Sequence, residues 1–249
     1  MTAGRLFVFF GLSLQAADWL NEGVRQPLER EITPTSVKDL KLIWKRTLGG
    51  GARLSSPVIM GRLITYRGTV ELVFVSSSDG HVYAVDGDFG KVFWTRDLGS
   101  GPSKCLVPAT PALTPNPPGV DPDADEEPPR RPLYAQAPDS LSHAINPANG
   151  KDFEGEPARR GSCAAALVVK KGRAGGMKGT RAPVVAGGVA FSLEPSTGEL
   201  LGVDARTRQA LFRSGPTSPT TSALAVANGH VCFSASDATL YCFGFPMEK

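Results

Sequence analysis

The 249-residue chain lacks the cysteine arrangements that bind metals or carry out redox chemistry. Its four cysteines, Cys105, Cys163, Cys232 and Cys242, include no adjacent pair, no Cys-x-x-Cys and no metal-ligand spacing. Cys105 and Cys163 could form a disulfide in an exported protein, and the sequence leaves that open. The alternation along one predicted hairpin places Cys232 and Cys242 on opposite faces, which predicts no bond between them.

Other absences exclude further classes of function. No segment shows the 3.6-residue apolar period of a helix, and no apolar run reaches the length of a membrane span. A formal net charge of +3 is too small for a nucleic-acid-binding surface. The acidic, proline-rich segment 115–132 lacks the glycine and apolar anchors of a calcium loop, which favours a solvated loop over a cation site. We therefore predict no catalytic residue and no metal site. The serines and histidines considered and rejected for such roles are Ser56, Ser140, Ser222, His81, His143 and His230.

The first 17 residues have the composition of a signal peptide. One positive charge is followed by a short apolar run, Leu6 to Leu14, and by the small residues Ala16 and Ala17. This pattern predicts a periplasmic or secreted protein, with a buried strand or a membrane-associated N-terminus as the alternatives. Residues 18–39, in which Trp19 is the one aromatic residue, are expected to form an irregular lead-in.

The remainder of the chain contains four copies of one strand-turn-strand unit. Residues 73–99 are the best-preserved copy, and each copy follows a further short strand. Units repeated at such spacings predict a β-propeller of four-stranded antiparallel blades, at about 53–99, 105–155, 180–213 and 220–245. A small residue recurs at one position, which predicts a crowded contact between neighbouring sheets. The turn residues are Asp79, Asp139, Thr197 and Asp237, and the small residues are Ala84, Ala144, Gly202 and Cys242.

Residues 40–48 repeat the outer strand of the first blade without a blade of their own. Trp44 and Arg46 stand at the same offsets as Trp94 and Arg96. Because the fourth unit ends without an outer strand, we expect 40–48 to pair with it and close the ring, giving one domain over 40–249. The alternative is a part of a larger ring. The apolar run 163–169 is expected to form one more strand, and one interpretation is a displaced outer strand of the second blade.

The motif Ala84, Asp86, Gly90, Lys91 and Trp94 resembles the tryptophan-docking motif of the PQQ-repeat, or quinoprotein alcohol dehydrogenase-like, β-propellers. In this motif, Gly90 lets the chain turn, and the ring of Trp94 packs between blades. The matching residue in the 40–48 strand is Trp44.

The resemblance also implies what an enzyme of this family would need. Such enzymes hold the quinone in a wide central channel, between a Trp and a disulfide of adjacent cysteines. A calcium ion bound by Glu and Asn lies beside it, with an Asp base. Most members have seven or eight blades, and no residue of this chain matches those sets, so the cofactor-binding residues stay unknown. We expect a non-enzymatic binding scaffold for a protein partner, without a cofactor. The alternative is a shortened PQQ-dependent dehydrogenase that uses PQQ and calcium.

Overall fold

The computed structural model describes Trp19 and residues 25–65, 68–99, 105, 108–113, 131–164, 166–170, 173–177 and 183–246. Within these ranges the protein is all-β, with helical geometry limited to two short 3-10 turns, Val37–Asp39 and Gly49–Gly51. No helix in this part of the chain is long and apolar enough to cross a membrane. The predicted signal peptide and nearly all of the acidic segment lie outside the described residues.

Nineteen strands make up the described part of the chain. In chain order they are β1 Arg25–Gln26, β2 Lys41–Thr47, β3 Val58–Thr65, β4 Gly68–Ser76, β5 His81–Asp86, β6 Val92–Asp97, β7 Ala112–Leu113, β8 Leu133–Gln136, β9 Leu141–Ile145, β10 Arg159–Arg160, β11 Ala166–Lys170, β12 Arg173–Met177, β13 Val184–Ala186, β14 Val189–Glu194, β15 Glu199–Asp204, β16 Ala210–Arg213, β17 Ala225–Ala227, β18 His230–Ser234 and β19 Thr239–Gly244.

Four antiparallel sheets form the blades, each with its strands in sequential order. The first blade is β3 to β6, the second β7 to β10 and the third β13 to β16. In the fourth blade, β17, β18 and β19 are completed by the N-terminal strand β2. Trp44 of β2 lies opposite Cys242 of β19 in this antiparallel pair. The predicted propeller class and the pairing of 40–48 with the last blade are thus confirmed.

The turn between the second and third strands of each blade has the same internal hydrogen bond. A side-chain oxygen of the turn residue accepts from the backbone N–H two residues further on, at distances of 2.9 to 3.3 Å. Such a bond satisfies a backbone donor that the sheet leaves free. The four acceptors are Asp79, Asp139, Thr197 and Asp237, the turn residues of the sequence repeat.

In three blades, a β-bulge precedes the aromatic residue of the outer strand that packs between blades, which is Trp94, Phe212 or Trp44. In the first blade, Ala84 pairs with Trp94 but Val85 pairs with Val92, so Phe93 is an extra residue. The register shifts at the same place in the third and fourth blades, where the extra residues are Leu211 and Ile43. All three extra side chains pack against the core. The bulge therefore adds a second apolar side chain beside the aromatic residue that packs between blades.

One contiguous core joins the blades. It takes buried side chains from the third, fourth and first blades and from one face of the second. The other face of the second blade packs separately, with Tyr134 and Ala144 against Leu167 of β11. Contacts between inner strands follow the order β13, β17, β3 and β7, and β11 adjoins β7.

The run 163–169 does contain a strand, β11, but the suggestion of a displaced outer strand is wrong. β11 pairs with β12 in a hairpin of its own, while β10 is the outer strand of the second blade. A parallel bridge from Ala166 to Thr110 places β11 beside the start of the inner strand instead.

All four cysteines form disulfides. Cys105 and Cys163 are bonded, with Cα atoms 5.2 Å apart. The prediction for the other pair is wrong, because Cys232 and Cys242 are bonded as well, with Cα atoms 4.2 Å apart. They lie directly opposite each other in β18 and β19, and opposite residues of an antiparallel pair share a face.

Candidate functional site

Other segments of the same chain pair with the axial edges of β3 and β13 and lie beside the start of β7. Trp19 forms an antiparallel bridge with Ile59 of β3, in which each residue donates one backbone hydrogen bond, of 2.8 and 3.0 Å. Across the ring, β1 pairs in parallel with β13 of the third blade. The Leu167 N–H donates to Thr110 O at 2.9 Å, just before β7. Trp19 therefore lies at the inner edge of the first blade, and β1 lies at that of the third.

This arrangement does not fit a quinone in the axis. The Trp19 side chain is only 3% exposed and belongs to the core that joins the blades. A stacked cofactor needs an open channel with a free aromatic face. The disulfides of this chain join residues that are not adjacent in sequence, so neither is the adjacent-cysteine disulfide that lies against the quinone. In addition, β1 of the lead-in already pairs with the axial edge of β13. None of the described residues is therefore assigned to PQQ or calcium.

The ring of Trp44 packs on a turn of the next blade. Its Nε1 donates to Gly87 O at 2.6 Å. A Cβ atom added at Gly90, where φ is +64°, would lie 2.7 Å from two atoms of the ring. Two residues later in β2, Arg46 Nε donates to Gly90 O at 2.8 Å. The turn thus requires glycine both for its left-handed backbone and for the close approach of the indole.

The same contact joins the first blade to the second. Trp94 Nε1 donates to Pro147 O at 2.8 Å, and a Cβ atom at Gly150, with φ of +74°, would lie 2.8 Å from the ring. Arg96 pairs with Asp152 at 2.9 Å. At the junction of the third and fourth blades, Phe212 occupies the ring position and meets Phe243 edge to face, with centroids 6.2 Å apart.

The junction from the second blade to the third has neither the docked aromatic ring nor the turn glycine of this contact. Phe153 follows the second blade's turn, but it packs on that blade's own cluster. In the third blade, the position that corresponds to Gly90 is Arg208, which has a φ of +62°. The turn keeps its shape, since Arg208 N–H donates to Asp204 O at 2.8 Å as Gly90 N–H does to Asp86 O at 2.9 Å. A side chain at this position leaves no room for an indole.

The other residues of the sequence motif support the turn or fill the sheet. Ala84 is fully buried between Phe74 and Trp94, its partners on either side. Asp86 Oδ1 accepts from the N–H groups of Asp88 and Phe89 at 3.0 and 2.9 Å. Lys91 is exposed, with its Nζ 5.9 Å from the centroid of the Phe89 ring. Within the described contacts, the motif serves packing between blades.

A buried histidine lies between the fourth and first blades. His230 Nδ1 is 2.8 Å from Glu71 Oε1, and its Nε2 is 3.7 Å from Asp88. Glu71 also accepts a 2.7 Å hydrogen bond from Asn228. The His230 and Glu71 side chains are 11% and 9% exposed. The pair therefore crosses the junction at which the two ends of the ring meet.

The surroundings of this pair shift its protonation. Burial alone would lower the pKa of His230, but the hydrogen bond and charge of Glu71, together with Asp88 and Glu31, raise it. Burial raises the pKa of Glu71, and the hydrogen bond and charge of His230 offset this only in part. Burial and the charge of Glu29 likewise raise the pKa of Glu31.

In the described contacts around His81, the serine, the acid and the histidine are not in the order of a catalytic triad. In the first blade, the Ser77 hydroxyl donates to Asp79 and His81 Nδ1 is 3.1 Å from the same carboxylate. The acid thus lies between serine and histidine, whereas nucleophile activation requires the histidine between them. His143 lies in the second blade, where burial lowers its pKa despite Asp152 and Asp139. Among the described residues, no group of three His, Cys, Asp or Glu side chains is placed to hold a metal ion.

The sequence does not predict the contacts that Trp19, Glu71 and His230 make with distant strands. Trp19 is an isolated aromatic residue in an irregular stretch, and a two-residue strand such as β1 has no periodicity. Glu71 stands between Val70 and Leu72 at the start of the apolar run of β4, and an acidic residue in such a run is the signal that could have indicated a buried partner.

The fold and these contacts define a β-propeller in which aromatic rings join the blades at three junctions. No protein-family model matches the sequence, and no curated protein matches it. The structure is similar to quinohemoprotein alcohol dehydrogenase from Comamonas testosteroni, at 21% identity and a TM-score of 0.37 over 80% of this chain. It is also similar to a europium-containing methanol dehydrogenase, at 14% identity and a TM-score of 0.41 over 82% of this chain. The chain spans 27% and 32% of the lengths of these two proteins.

A third similar structure is BamB from Moraxella catarrhalis, at 11% identity and a TM-score of 0.25, with 83% of this chain and 100% of that one covered. These are likenesses in fold, and they assign no residue of this chain a role.

Proposed function

We propose that the chain is a non-enzymatic propeller scaffold that binds a protein partner in the periplasm or outside the cell. The carrying observation is that Trp19 and β1 pair with the inner edges of β3 and β13. Because these two edges already bind the protein's own backbone, the two loop-bearing faces and the rim are the surfaces that we assign to binding.

The disulfides support an oxidising compartment. All four cysteines are paired, and none is free. Paired structural cysteines are rare in reducing compartments and common in exported proteins. The predicted signal peptide is in keeping with this location, which can be tested by finding where the full chain accumulates.

Reconstitution with PQQ and calcium distinguishes the proposed scaffold function from that of a dehydrogenase. The purified full chain is incubated with PQQ and calcium, and quinone absorbance and dye reduction by alcohols and sugars are recorded. We expect no absorbance shift and no turnover. A shift together with substrate-dependent dye reduction would overturn the scaffold proposal.

Partner capture supplies the positive test. The folded chain is immobilised and exposed to an extracytoplasmic fraction, with the reduced and alkylated chain as a control of identical composition. Retention of one protein by the folded form alone, reproduced with that protein in purified form, is the expected result. Equal retention by both forms would contradict specific binding.

A further inference from the structure

The turn between β5 and β6 carries an exposed phenylalanine that the turn itself does not require. The Phe89 side chain is 56% exposed. The equivalent turns of the second and third blades, 146–150 and 204–208, close with the same backbone hydrogen bond. They have the polar residues Asn149 and Thr207 at the position of Phe89. The turn therefore forms equally well without an aromatic ring at this position.

Two more exposed apolar side chains lie beside this turn. Val92, two residues after Gly90, is 42% exposed, and Leu42, two residues before Trp44, is 43% exposed. A Cβ atom at Gly90 would lie 2.9 Å from Trp44 Cβ, so the turn and β2 meet at this point. Of the five large apolar side chains that are exposed in the described part of the chain, three therefore lie around one contact. Such a cluster indicates a binding surface.

Leu42 and Val92 also lie at the same level along the propeller axis. Leu42 is opposite Phe243 in the fourth blade, as Val92 is opposite Val85 in the first. Equivalent residues of neighbouring blades are related by a rotation about the axis. The second blade has the charged residue Asp152 at this position, so the fold does not require an apolar residue there.

Three lysines surround the apolar side chains. Lys41 and Lys45 are exposed on β2. Lys91 is exposed beside Phe89, with its Nζ 5.9 Å from the centroid of the ring. β2 contains no acidic residue, and the exposed acid of the turn, Asp88, lies 3.7 Å from Nε2 of the buried histidine. We call six residues the rim patch: Leu42, Phe89, Val92, Lys41, Lys45 and Lys91.

We infer that the rim patch binds the surface of a membrane that contains anionic lipids. The three apolar side chains enter the headgroup region, and the three lysines contact the lipid phosphates. Lysine is depleted in protein–protein interfaces, whereas lysines beside phenylalanine and leucine are typical of surfaces that lie on a membrane. The inference goes beyond the proposed scaffold function, in which the partner is a protein.

Co-sedimentation of the full chain with vesicles tests the inference. The vesicles contain phosphatidylcholine and phosphatidylglycerol in equal amounts, and vesicles of phosphatidylcholine alone are the comparison. We expect binding to the anionic vesicles, roughly tenfold weaker binding to the neutral ones, and release at high salt, which screens exposed charges. Absence of binding to the anionic vesicles would overturn the inference.

Two substitutions in the rim patch are guided by the repeat. Phe89→Asn introduces the residue that the second blade has in the same turn, and it should weaken binding to anionic vesicles about tenfold, because the apolar ring that leaves water is lost. Lys91→Glu should weaken binding about fivefold. Lys151→Glu is its matched control, since Lys151 is exposed at the equivalent position of the second blade, and it should leave binding unchanged.

These variants also separate the rim patch from other parts of the chain. Binding that Phe89→Asn leaves unchanged would come from elsewhere, such as the apolar run 6–14, and would overturn the inference. Equal losses in Lys91→Glu and Lys151→Glu would overturn it as well, because they would reflect net charge alone. A wild-type dimer that Phe89→Asn dissociates, or capture of an extracytoplasmic protein that Phe89→Asn abolishes, would assign the patch to a protein instead.

Hydrogen exchange supplies a readout that needs no substitution. Anionic vesicles should slow exchange of the amides in the turn 86–91 about threefold or more and leave the equivalent turn 204–208 of the third blade unchanged. Equal exchange in the two turns with and without vesicles would overturn the inference. The PQQ reconstitution and the partner capture give the same results whichever way the vesicle experiment comes out, so the scaffold function is tested separately.

Discussion

At the scale of single residues, two glycines determine how the blades fit together. Gly90 and Gly150 each combine a left-handed backbone with an indole ring directly above the Cα atom. Arg208 has the same left-handed backbone conformation although it carries a side chain. In the described contacts, no aromatic ring from the preceding blade packs on it. The left-handed turn and the close approach of a ring are thus separate requirements, and a substitution can separate them.

Gly150→Ala should destabilise the protein more than Gly215→Ala. The two glycines have φ of +74° and +76°, but a Cβ atom at Gly150 would lie 2.8 Å from Trp94, whereas nothing lies within 4 Å of one at Gly215. The left-handed conformation alone costs about 1 kcal/mol, and the displaced ring adds about 2 kcal/mol at Gly150. Urea unfolding of both variants measures the difference. Equal losses of unfolding free energy would show that the Trp94 ring does not rest on this turn.

At the scale of elements, the junction of the fourth and first blades combines three kinds of contact. Near one face, Ser234 Oγ donates to Ser55 O at 2.7 Å. At the rim, Trp44 packs on the turn that contains Gly90. Near the other face, His230 meets Glu71. The outer strand of the fourth blade, β2, comes from the N-terminal part of the chain. These contacts therefore also hold the propeller ring together where its first and last blades meet.

The His230 contact should make stability depend on pH. Because the pKa of His230 is raised in the folded state, its contribution is complete below the unfolded value of about 6.5. That contribution is lost as the pH rises through the folded-state pKa. His230→Gln should remove this loss on the alkaline side. Urea midpoints measured from pH 5 to 9 test the expectation.

His143→Gln is the matched control, because the pKa of His143 is shifted in the opposite direction. A lowered pKa weakens the fold as the pH falls from about 6.5 through the folded-state value, so this variant should lose the acid-side decline instead. Parallel pH profiles for the wild type and His230→Gln would contradict the role of the ion pair.

The sequence predicts the repeated parts of these elements and misses the parts that occur once. Trp44 and Arg46 repeat the offsets of Trp94 and Arg96, which was enough to identify β2 as the outer strand of the fourth blade. The Cys232–Cys242 pair was missed because alternation along one strand does not give the register across a turn. That register depends on the length and shape of the turn, which sequence alternation does not specify.

The axial edges were missed for a different reason. Trp19 and β1 are placed by contacts with β3 and β13, and a strand of one or two residues has no pattern of its own. The buried pair of His230 and Glu71 likewise depends on two blades meeting, since the residues are far apart in the chain. Tertiary packing, not local propensity, determines both features.

At the scale of the whole molecule, the two disulfides differ in how much of the chain they constrain. The Cys105–Cys163 bond spans 58 residues, from the connection before β7 to the segment before β11. The Cys232–Cys242 bond spans 10 residues within one hairpin. Closing the larger loop removes more freedom from the unfolded chain.

Removing Cys105–Cys163 with paired serine substitutions should therefore cost more than removing Cys232–Cys242. Loop-closure entropy gives about 4 kcal/mol for the larger loop and about 3 kcal/mol for the smaller. Guanidinium unfolding of the two double variants provides the comparison. Non-reducing peptide mapping should recover the same two pairs from the native protein, and any other pairing would contradict the structure.

The closing strand has a consequence for how the protein is made. β2 is synthesised before its partner β19, which follows almost 200 residues later, with Thr47 and Thr239 separated by 192 positions. During that interval β2 has a free edge, and its Lys41, Lys45 and Arg46 oppose association with other nascent chains. The last contact to form is then among the longest in the chain, which makes completion of the ring a slow step of folding.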